Sequence, residues 1–437
     1  MTAVSGAARL LAALCTLAVL GPLTAGLASP AAAADRAAGG AGPGSFTGYG
    51  FDTCEAPAQE VMDAWWVSSP YAAVGVFIGG STRLCKNQPN LTADWVRTQQ
   101  RTGWRVLAAY VGPQASCSNY ADKMSSDLAT AHQQGAAEAS NAVATAQGLA
   151  IGRGSTLYYD LEDYPLDDTV CRQAALHFLS GWTEQLHASG YQSGVYSNIA
   201  AAITSVDYAN LASPGSYTMP DDIWFAWANG RADTVTDSRV QTDEWDDHDR
   251  VHQYRIDKVE TWGGYSLKID QNWLDVGKGS VAPRQKALCK GVDVDLRRYP
   301  TLRAGKRGPA VEAVQCLLGK LHVRQGRITG RYDAATVRAV KKAQHKLDQP
   351  QTGKVTRRTW VALLARGRQP LVKVGSTGDS VLHLQRALTA ALGKRVTVDG
   401  VFLQQTELRV RAYQRKAHLP VTGVVTADVW DRLASGR

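Results

Sequence analysis

The sequence predicts an α/β barrel followed by two small all-helical domains. Eight short runs rich in Tyr, Val and Ile lie between residues 48 and 270, and segments with helical spacing separate the first five. A pattern with a period of 70 residues fills the C-terminal part of the chain. With 437 residues, the chain is long enough for two to four domains that each bury a core.

The N-terminal segment has the pattern of a secretory signal peptide at residues 1–34. Arg9 precedes an apolar stretch from Leu10 to about Leu27, and three alanines ending at Ala34 form a small-residue cleavage site. A retained membrane anchor fits less well, because the stretch is Ala-rich and interrupted by Gly and Pro. A lipid on Cys15 fits less well still, because the bulky Leu14 precedes it and it lies early in the apolar run. We expect a secreted protein without membrane contact after cleavage, and a flexible leader at residues 35–46.

Six cysteines remain once Cys15 has left with the signal peptide. An even number in an exported chain favours disulfides, although six cysteines can pair in fifteen ways and the sequence does not choose among them. Cys289 and Cys316 flank the start of the first repeat, and we expect them to pin the preceding linker to it. No C-x-x-C pair occurs, which argues against a structural zinc site.

Charge is divided unevenly along the chain. Residues 301–437 hold 26 Lys/Arg and 8 Asp/Glu, a balance of +18, whereas residues 1–300 hold 22 and 31, a balance of −9. A basic C-terminal region suits a polyanion, and export points to one outside the cell rather than to nucleic acid.

Residues 47–277 are predicted to form a TIM-like (β/α)8 barrel with irregular closure. Strands that alternate with helices, such as residues 122–148 and 172–189, favour parallel pairing, and eight strands suggest a closed barrel. The segment DKVETWGG between the seventh and eighth runs is too short for a parallel crossover. An antiparallel hairpin should therefore close the barrel, and residues 278–300 should form a linker.

Two copies of one small domain are predicted at residues 301–367 and 371–437. Fifteen residues between Gly305 and Leu363 recur 70 positions later without a gap. Their three-to-four spacing, punctuated by glycines, favours a three-helix bundle in each copy.

Four acidic residues are expected at the strand ends that carry the site in such a barrel. Asp160 and Glu162 are spaced i, i+2 and so share one face, while Leu161 faces the helix layer. Asp52 ends the first strand and Asp270 the eighth, and barrel closure should bring these two together. We therefore predict a ring of carboxylates around one pocket.

A pair of carboxylates is what glycoside hydrolysis requires. We assign Glu162 as the proton donor, with a pKa raised by its neighbours, especially Asp160. Asp160 should stay ionised and stabilise a positive sugar centre, or orient a substrate N-acetyl group that itself attacks. In the alternative, purely structural interpretation, these acids bind strand-end amides or Arg153. Asp163 faces the other side of the strand and should cap the following loop.

Four more side chains near the strand ends are candidates for sugar binding, although core packing is the default for an aromatic beside a strand: Tyr110, Trp227, Tyr196 and Gln253. We expect no metal site, because the pair His248 and His252 leads into a strand and lacks the Glu of a zinc-protease helix. No phosphate loop or dinucleotide fingerprint occurs, so no cofactor is expected.

Both parts of the chain resemble known families. The repeats resemble the peptidoglycan-binding domain of bacterial wall hydrolases through GKRGPAVEAVQ, GRYDAAT and TGKVTRRTW, and through GSTGDSVLHLQ, GVFLQQT and TGVVTADVW. Residues 47–277 resemble the glycoside hydrolase-like domain of unknown function, grouped with lysozyme or muramidase-type barrels, through GFDTCEAP, FIGG, AAYVGPQ, YYDLEDY, GYQSGVYSN, FAWANG, RVHQY and IDQN.

The resemblance implies a secreted or wall-associated glycoside hydrolase that uses carboxylate acid/base catalysis. It would cleave a glycan linkage of peptidoglycan or another cell-wall polysaccharide, as a monomer held by two binding modules. A non-catalytic wall-binding protein with a degenerate barrel is the alternative. An amidase or peptidase would need metal ligands or a nucleophile that the sequence does not offer.

Overall fold

The structure, a computed structural model, describes residues 42–241, 243–284 and 287–437. The predicted signal peptide and residues 35–41 of the predicted leader lie outside the described residues. From residue 42 the chain is attached to the barrel: the Gly42 amide donates to Ser155 Oγ at 2.9 Å, and its carbonyl accepts from the Thr156 amide at 2.9 Å. The described end of the predicted leader is therefore held in place.

Eight strands form a closed barrel in sequence order. The first seven are parallel, and the eighth runs antiparallel to both the seventh and the first. This confirms the predicted barrel with a hairpin at its closure. The strands are β1 (Phe46–Asp52), β2 (Ala73–Gly79), β3 (Arg105–Tyr110), β4 (Thr156–Asp160), β5 (Gln192–Asn198), β6 (Asp222–Ala226), β7 (Asp249–Trp262) and β8 (Tyr265–Val276).

Five helices cover the first part of the barrel wall. Three of them begin with an Asp or Thr side chain that accepts a hydrogen bond from the first turn: Thr92, Asp127 and Asp168. The helices are α1 (Gln59–Ser68), α2 (Ala93–Thr102), α3 (Leu128–Gly148), α4 (Thr169–Ala188) and α5 (Thr204–Ala212), the last after a π-helical turn at Ile199–Ile203.

The wall around β7 and β8 is built differently. Among the described residues no helix lies between β6 and β7 or between β7 and β8, so these strands lack the usual outer helix layer. Tyr254 and Trp273 point outward there, yet each is only 6 % exposed, because both belong to one apolar cluster with the cores of the C-terminal repeats. Tyr49 packs edge-on against Trp273 at 4.9 Å. The C-terminal region therefore covers the side of the barrel that helices leave open.

Each repeat contains three helices, as predicted. A buried glutamine explains much of the repeated pattern: Gln315 Nε2 donates to the Arg331 carbonyl at 2.9 Å, and Gln315 Oε1 accepts from the Gly330 amide at 3.1 Å. Gln385 makes the equivalent bonds in the second copy. The shared residues are thus structural. The helices are α6 (Pro309–Lys320), α7 (Ala334–Lys346), α8 (Arg357–Leu364), α9 (Asp379–Leu392), α10 (Gln404–Ala417) and α11 (Ala427–Ala434).

The six described cysteines form three disulfides. Cys289–Cys316 ties the linker to α6, as the sequence predicts. Cys54–Cys85 joins the loops that follow β1 and β2, and Cys117–Cys171 joins the loop after β3 to the first turn of α4.

Asp222 is a buried carboxyl group inside the barrel, at the end opposite to the strand ends that carry the site. Its Oδ2 accepts from Thr156 Oγ1 at 2.8 Å and from the Tyr158 hydroxyl at 3.0 Å. Burial raises the pKa of Asp222 to about 7, against the opposing effect of the Thr156 hydrogen bond. Because the folded-state pKa exceeds the unfolded one, the contribution of Asp222 to stability is present below about pH 4 and is lost as the pH rises through about 7.

In Asp222→Asn, the free energy of unfolding is therefore expected to decrease less steeply between about pH 4 and about pH 7 than in the wild type. Asn keeps an acceptor for the hydroxyl groups and cannot ionise, so the slope should change by up to about 1.4 kcal/mol per pH unit. Urea unfolding at a series of pH values measures this slope, with the exposed Asp167→Asn as control. Equal slopes in the two variants would contradict the assignment.

Candidate active site

One cavity of about 690 Å³ lies at the strand ends of the barrel and contains all four predicted acids. Asp52 and Asp160 are the last residues of β1 and β4 and are each 4 % exposed. Glu162 lies two residues beyond β4, at the exposed mouth of the cavity. Asp270 pairs with Asp52 in the antiparallel register of β1 and β8. The structure thus brings the four carboxyl groups to one cavity.

Asp270 differs from expectation in its place along the strand. It was expected at the end of the eighth strand, but it lies in the middle of β8, because an antiparallel strand reaches the site with an interior residue. The Asp257 amide, from the part of β7 that extends past the barrel, donates to Asp270 Oδ1 at 2.6 Å. Burial raises the pKa of Asp270, and this hydrogen bond opposes the rise.

Asp52 is held by two side-chain amides. Gln253 Nε2 lies 3.2 Å from Asp52 Oδ1, and Asn272 donates to the same oxygen. Asn272 is oriented in turn by Trp224, whose Nε1 donates to Asn272 Oδ1 at 2.8 Å. Burial, followed by the charge of Asp270, raises the pKa of Asp52 to about 7. Asp52 is therefore anchored in the barrel floor and titrates near neutrality.

Gly75 on β2 makes room for this arrangement. A Cβ at this position would lie 2.6 Å from the Asp52 Cβ and 2.9 Å from the Trp224 ring, which is closer than atoms can approach. A side chain on this residue would displace the carboxyl group from the barrel floor.

Asp160 and Glu162 are fixed through the backbone. Gln114 Nε2 donates to the Asp160 carbonyl at 3.0 Å, and Gln114 Oε1 accepts from the Glu162 amide at 2.8 Å. Leu161, between them, belongs to the core between strands and helices. Asp160 Oδ1 is buried and has no hydrogen-bond partner among the described residues. One amide side chain therefore sets the position of both acids.

The protonation of this pair differs from the expectation. Burial, then the charges of Glu162 and Asp52, raises the pKa of Asp160 well above its usual range, which favours the protonated form over the expected ionised form. The pKa of Glu162 is also raised, first by burial and then by the charge of Asp163. The reason is depth: Asp160 lies inside the barrel, whereas Glu162 lies beyond the strand end.

Two of the four predicted sugar-binding residues line the cavity. Tyr196 and Gln253 do so, and the Tyr196 hydroxyl donates to Gln253 Oε1 at 3.0 Å. Tyr110 and Trp227 do not. Tyr110 lies on the outer face of β3, and its hydroxyl donates to Glu138 of α3 at 2.8 Å. Trp227 packs on the outer side, with the Arg239 guanidinium 4.7 Å from its ring.

Several site residues were not anticipated from the sequence. Asn272 and Gln114 lie in the motifs IDQN and AAYVGPQ, but an uncharged amide gives no signal of catalysis by itself. The cavity wall also includes Phe77, Leu84 and Tyr120, of which Leu84 is 90 % exposed. The Cys54–Cys85 disulfide joins the loops after β1 and β2 at this wall. The mouth therefore offers apolar surface beside the acids.

The structure gives partners for three further side chains named in the sequence analysis. Asp163 was expected to cap the following loop, but its Oδ2 accepts from Asn198 Nδ2 at 3.2 Å. His248 and His252 have separate partners: His248 Nδ1 lies 2.8 Å from Asp275 Oδ1, and His252 contacts backbone carbonyls. Within the described ranges, no group of three or more His, Cys, Asp or Glu could hold a metal ion, and no helix has the length and apolar character needed to cross a bilayer.

Comparison with protein families identifies both parts of the chain. Residues 63–274 match the family of Rv2525c-like, glycoside hydrolase-like domains. Residues 307–363 and 377–433 each match a peptidoglycan binding domain family. The chain therefore combines an Rv2525c-like glycoside hydrolase-like domain with two peptidoglycan-binding domains.

Solved structures with similarity to the chain include an uncharacterized protein from B. stearothermophilus, at 18 % identity, 52 % coverage of this chain, 95 % of that chain and a TM-score of 0.36. The Tat-secreted protein Rv2525c of Mycobacterium tuberculosis, in complex with L-tartrate, is 15 % identical, with 52 % of this chain and 95 % of that chain covered and a TM-score of 0.36. A family 25 glycosyl hydrolase from Bacillus anthracis is 15 % identical, with 52 % of this chain and 89 % of that chain covered and a TM-score of 0.31. No curated protein sequence matches the chain.

Proposed function

We propose that the chain is a secreted glycoside hydrolase that cleaves a glycan linkage of peptidoglycan or of a related cell-wall polymer. The observation that carries this proposal is the meeting of four carboxyl groups in one cavity of a glycoside hydrolase-like barrel, with Asp160 and Glu162 on one face. The C-terminal domains provide the attachment to the wall.

Glu162 acts as the general acid. It lies at the exposed mouth, where a glycosidic oxygen can reach it, and its raised pKa keeps the proton on the carboxyl group to a higher pH. As the bond between the anomeric carbon and the glycosidic oxygen breaks, the proton moves from Glu162 to that oxygen and leaves as part of the departing sugar's hydroxyl.

Asp160 orients an N-acetyl group of the substrate. The carboxyl group of Asp160, which lines the cavity, accepts the N–H of the acetamido group, whose own oxygen attacks the anomeric carbon as the leaving group departs. Water then adds to the anomeric carbon, the amide is regenerated, and a proton from that water returns to Glu162. Asp52 and Asp270, which already hold amide donors, shape the floor and contribute negative charge when ionised.

Digestion of purified peptidoglycan, followed by mass spectrometry of the soluble products, tests this function. We expect new reducing ends on N-acetylated sugars and intact stem peptides. Cleaved amide or peptide bonds would indicate an amidase or peptidase instead. A protein that sediments with the polymer and releases no product would be the non-catalytic binding protein.

A further inference from the structure

The two peptidoglycan-binding repeats differ in charge although they share a fold. Residues 301–370 hold 16 Lys/Arg and 3 Asp/Glu, a balance of +13, while residues 371–437 hold 10 and 5, a balance of +5. In the second repeat Arg386 pairs with Asp295 and Arg411 with Glu407. The basic excess of this region thus belongs mainly to the first repeat.

The second repeat is fixed to the barrel through its first loop. Lys373 is 2 % exposed, and its Nζ donates to the carbonyls of Trp66 at 2.7 Å, Ser69 at 3.3 Å and Tyr71 at 2.6 Å. The ammonium also lies 4.0 Å from the centre of the Trp66 ring. Such a site needs the second repeat and the barrel together, because no one part supplies both donor and acceptors.

Helix α10 of the second repeat makes further contacts with the barrel. Gln404 Nε2 donates to the Ala232 carbonyl at 2.7 Å, and the Tyr49 hydroxyl donates to Glu407 Oε2 at 3.3 Å. Tyr49 stands on the side of the barrel that has no helix layer, next to Trp273. The second repeat therefore takes the structural place of the missing helices.

The equivalent surface of the first repeat is free. Arg303, which corresponds to Lys373, is exposed, and a Cβ at Gly305 would meet open space, whereas a Cβ at the equivalent Gly375 would lie 2.1 Å from the Phe46 ring. Among the described residues, this loop therefore packs against the barrel in the second repeat and not in the first.

The first repeat also carries a basic groove of about 740 Å³ between the end of α6 and α7. No acidic residue lines it, and Lys342, His345 and Lys346 on α7 are all exposed. The remaining lining residues are His322, Val323, Gln325 and Gln351. A groove with two lysine side chains and no carboxylate suits an anionic chain more than a neutral glycan.

We propose that the two repeats have separate roles: the second is a fixed cover for the helix-free side of the barrel, and the first binds an anionic polymer in this groove. The polymer carries repeated phosphate or carboxylate groups, which exposed ammonium groups attract in a salt-dependent way. This inference rests on the proposed function, since it assigns wall attachment to one of the two modules.

Two charge-matched variants of the full chain test the inference. Lys342→Gln/Lys346→Gln removes two charges from the groove, and Lys394→Gln/Arg415→Gln removes two exposed charges from the second repeat. Soluble polyphosphate and polyglutamate serve as probes, by titration at two salt concentrations. We expect the groove variant to lose about tenfold in affinity and to show a weaker salt dependence, while the second-repeat variant keeps the wild-type affinity.

Thermal unfolding of both variants checks that they remain folded. Equal losses of affinity in the two variants would overturn the division of roles between the repeats. Wild-type affinity in the groove variant would show that the groove is not the binding site. A loss for one probe alone identifies phosphate or carboxylate as the recognised group. The binding measurement does not depend on cleavage. A wild-type protein that binds the probes but cuts no glycan would contradict the hydrolase proposal and support the present one.

Discussion

Glu162→Gln is expected to lower the rate of glycan cleavage by a factor of about 10²–10⁴, the usual contribution of a general acid. Gln has the same size and keeps a polar group at the cavity mouth, but it cannot give a proton to the leaving oxygen. Initial rates of reducing-end release from purified peptidoglycan measure the loss. In the wild type the rate should fall as the pH rises through the raised pKa of Glu162, since the deprotonated form is inactive.

Asp163→Asn is the matched control, because Asp163 is adjacent, exposed and also carries one charge. Its charge helps to raise the pKa of Glu162, so its removal should shift the basic limb of the pH–rate profile to lower pH while most of the maximal rate is kept. Equal losses in the two variants would show that charge at the mouth, and not proton donation, controls the rate. A fully active Glu162→Gln would contradict the proposed mechanism.

Strand periodicity and loop length were enough to predict much of the barrel. The i, i+2 spacing of Asp160 and Glu162 placed both on one face and Leu161 in the helix-facing core, where the structure has it. The short segment between the last two runs predicted the hairpin, and closure then made β8 a neighbour of β1. These features depend on local geometry, which a single sequence contains.

Features that depend on depth or on distant partners could not be predicted in the same way. The pKa of Asp160 is governed by how far the carboxyl group lies inside the barrel, and spacing along the strand does not report this depth. Tyr110 lies at a strand end but has the outward parity of Val106 and Ala108, so its position along the strand was a poor guide. The alternation of side chains along a strand applies to aromatic residues as it does to acids, and it places Tyr110 outside the cavity.

The different placement of the two repeats was also beyond sequence reasoning. Their fifteen shared positions are core and turn residues, so the pattern predicts the same module twice. The hydrogen bonds of Lys373, Gln404 and Glu407 with the barrel use positions outside the pattern. Arg303 and Lys373 are both basic and would each be expected at the surface, because lysine is rarely buried.

Lys373→Met is expected to lower the free energy of unfolding by about 3 kcal/mol, because it leaves three backbone carbonyls without their shared donor. Burial lowers the pKa of Lys373 well below its usual range, so removing the amine also relieves a cost of desolvation. The loss of three acceptor contacts outweighs this gain. Urea unfolding measures the change, and faster amide hydrogen exchange around residues 66–73 should locate it at the barrel. Arg303→Met, at the equivalent exposed position, should change stability by less than about 0.5 kcal/mol.

A second pair of variants separates the contact from backbone strain. Gly375 and Gly305 are equivalent and have similar positive φ angles of 93° and 86°, so an alanine is strained to a similar degree at both positions. Only at Gly375 does the added Cβ meet the Phe46 ring, 2.1 Å away. Gly375→Ala should therefore destabilise the protein clearly more than Gly305→Ala, and the difference should appear in the hydrogen exchange of β1. Equal destabilisation in this pair, together with an unaffected Lys373→Met, would mean that the second repeat contributes nothing to the stability of the barrel.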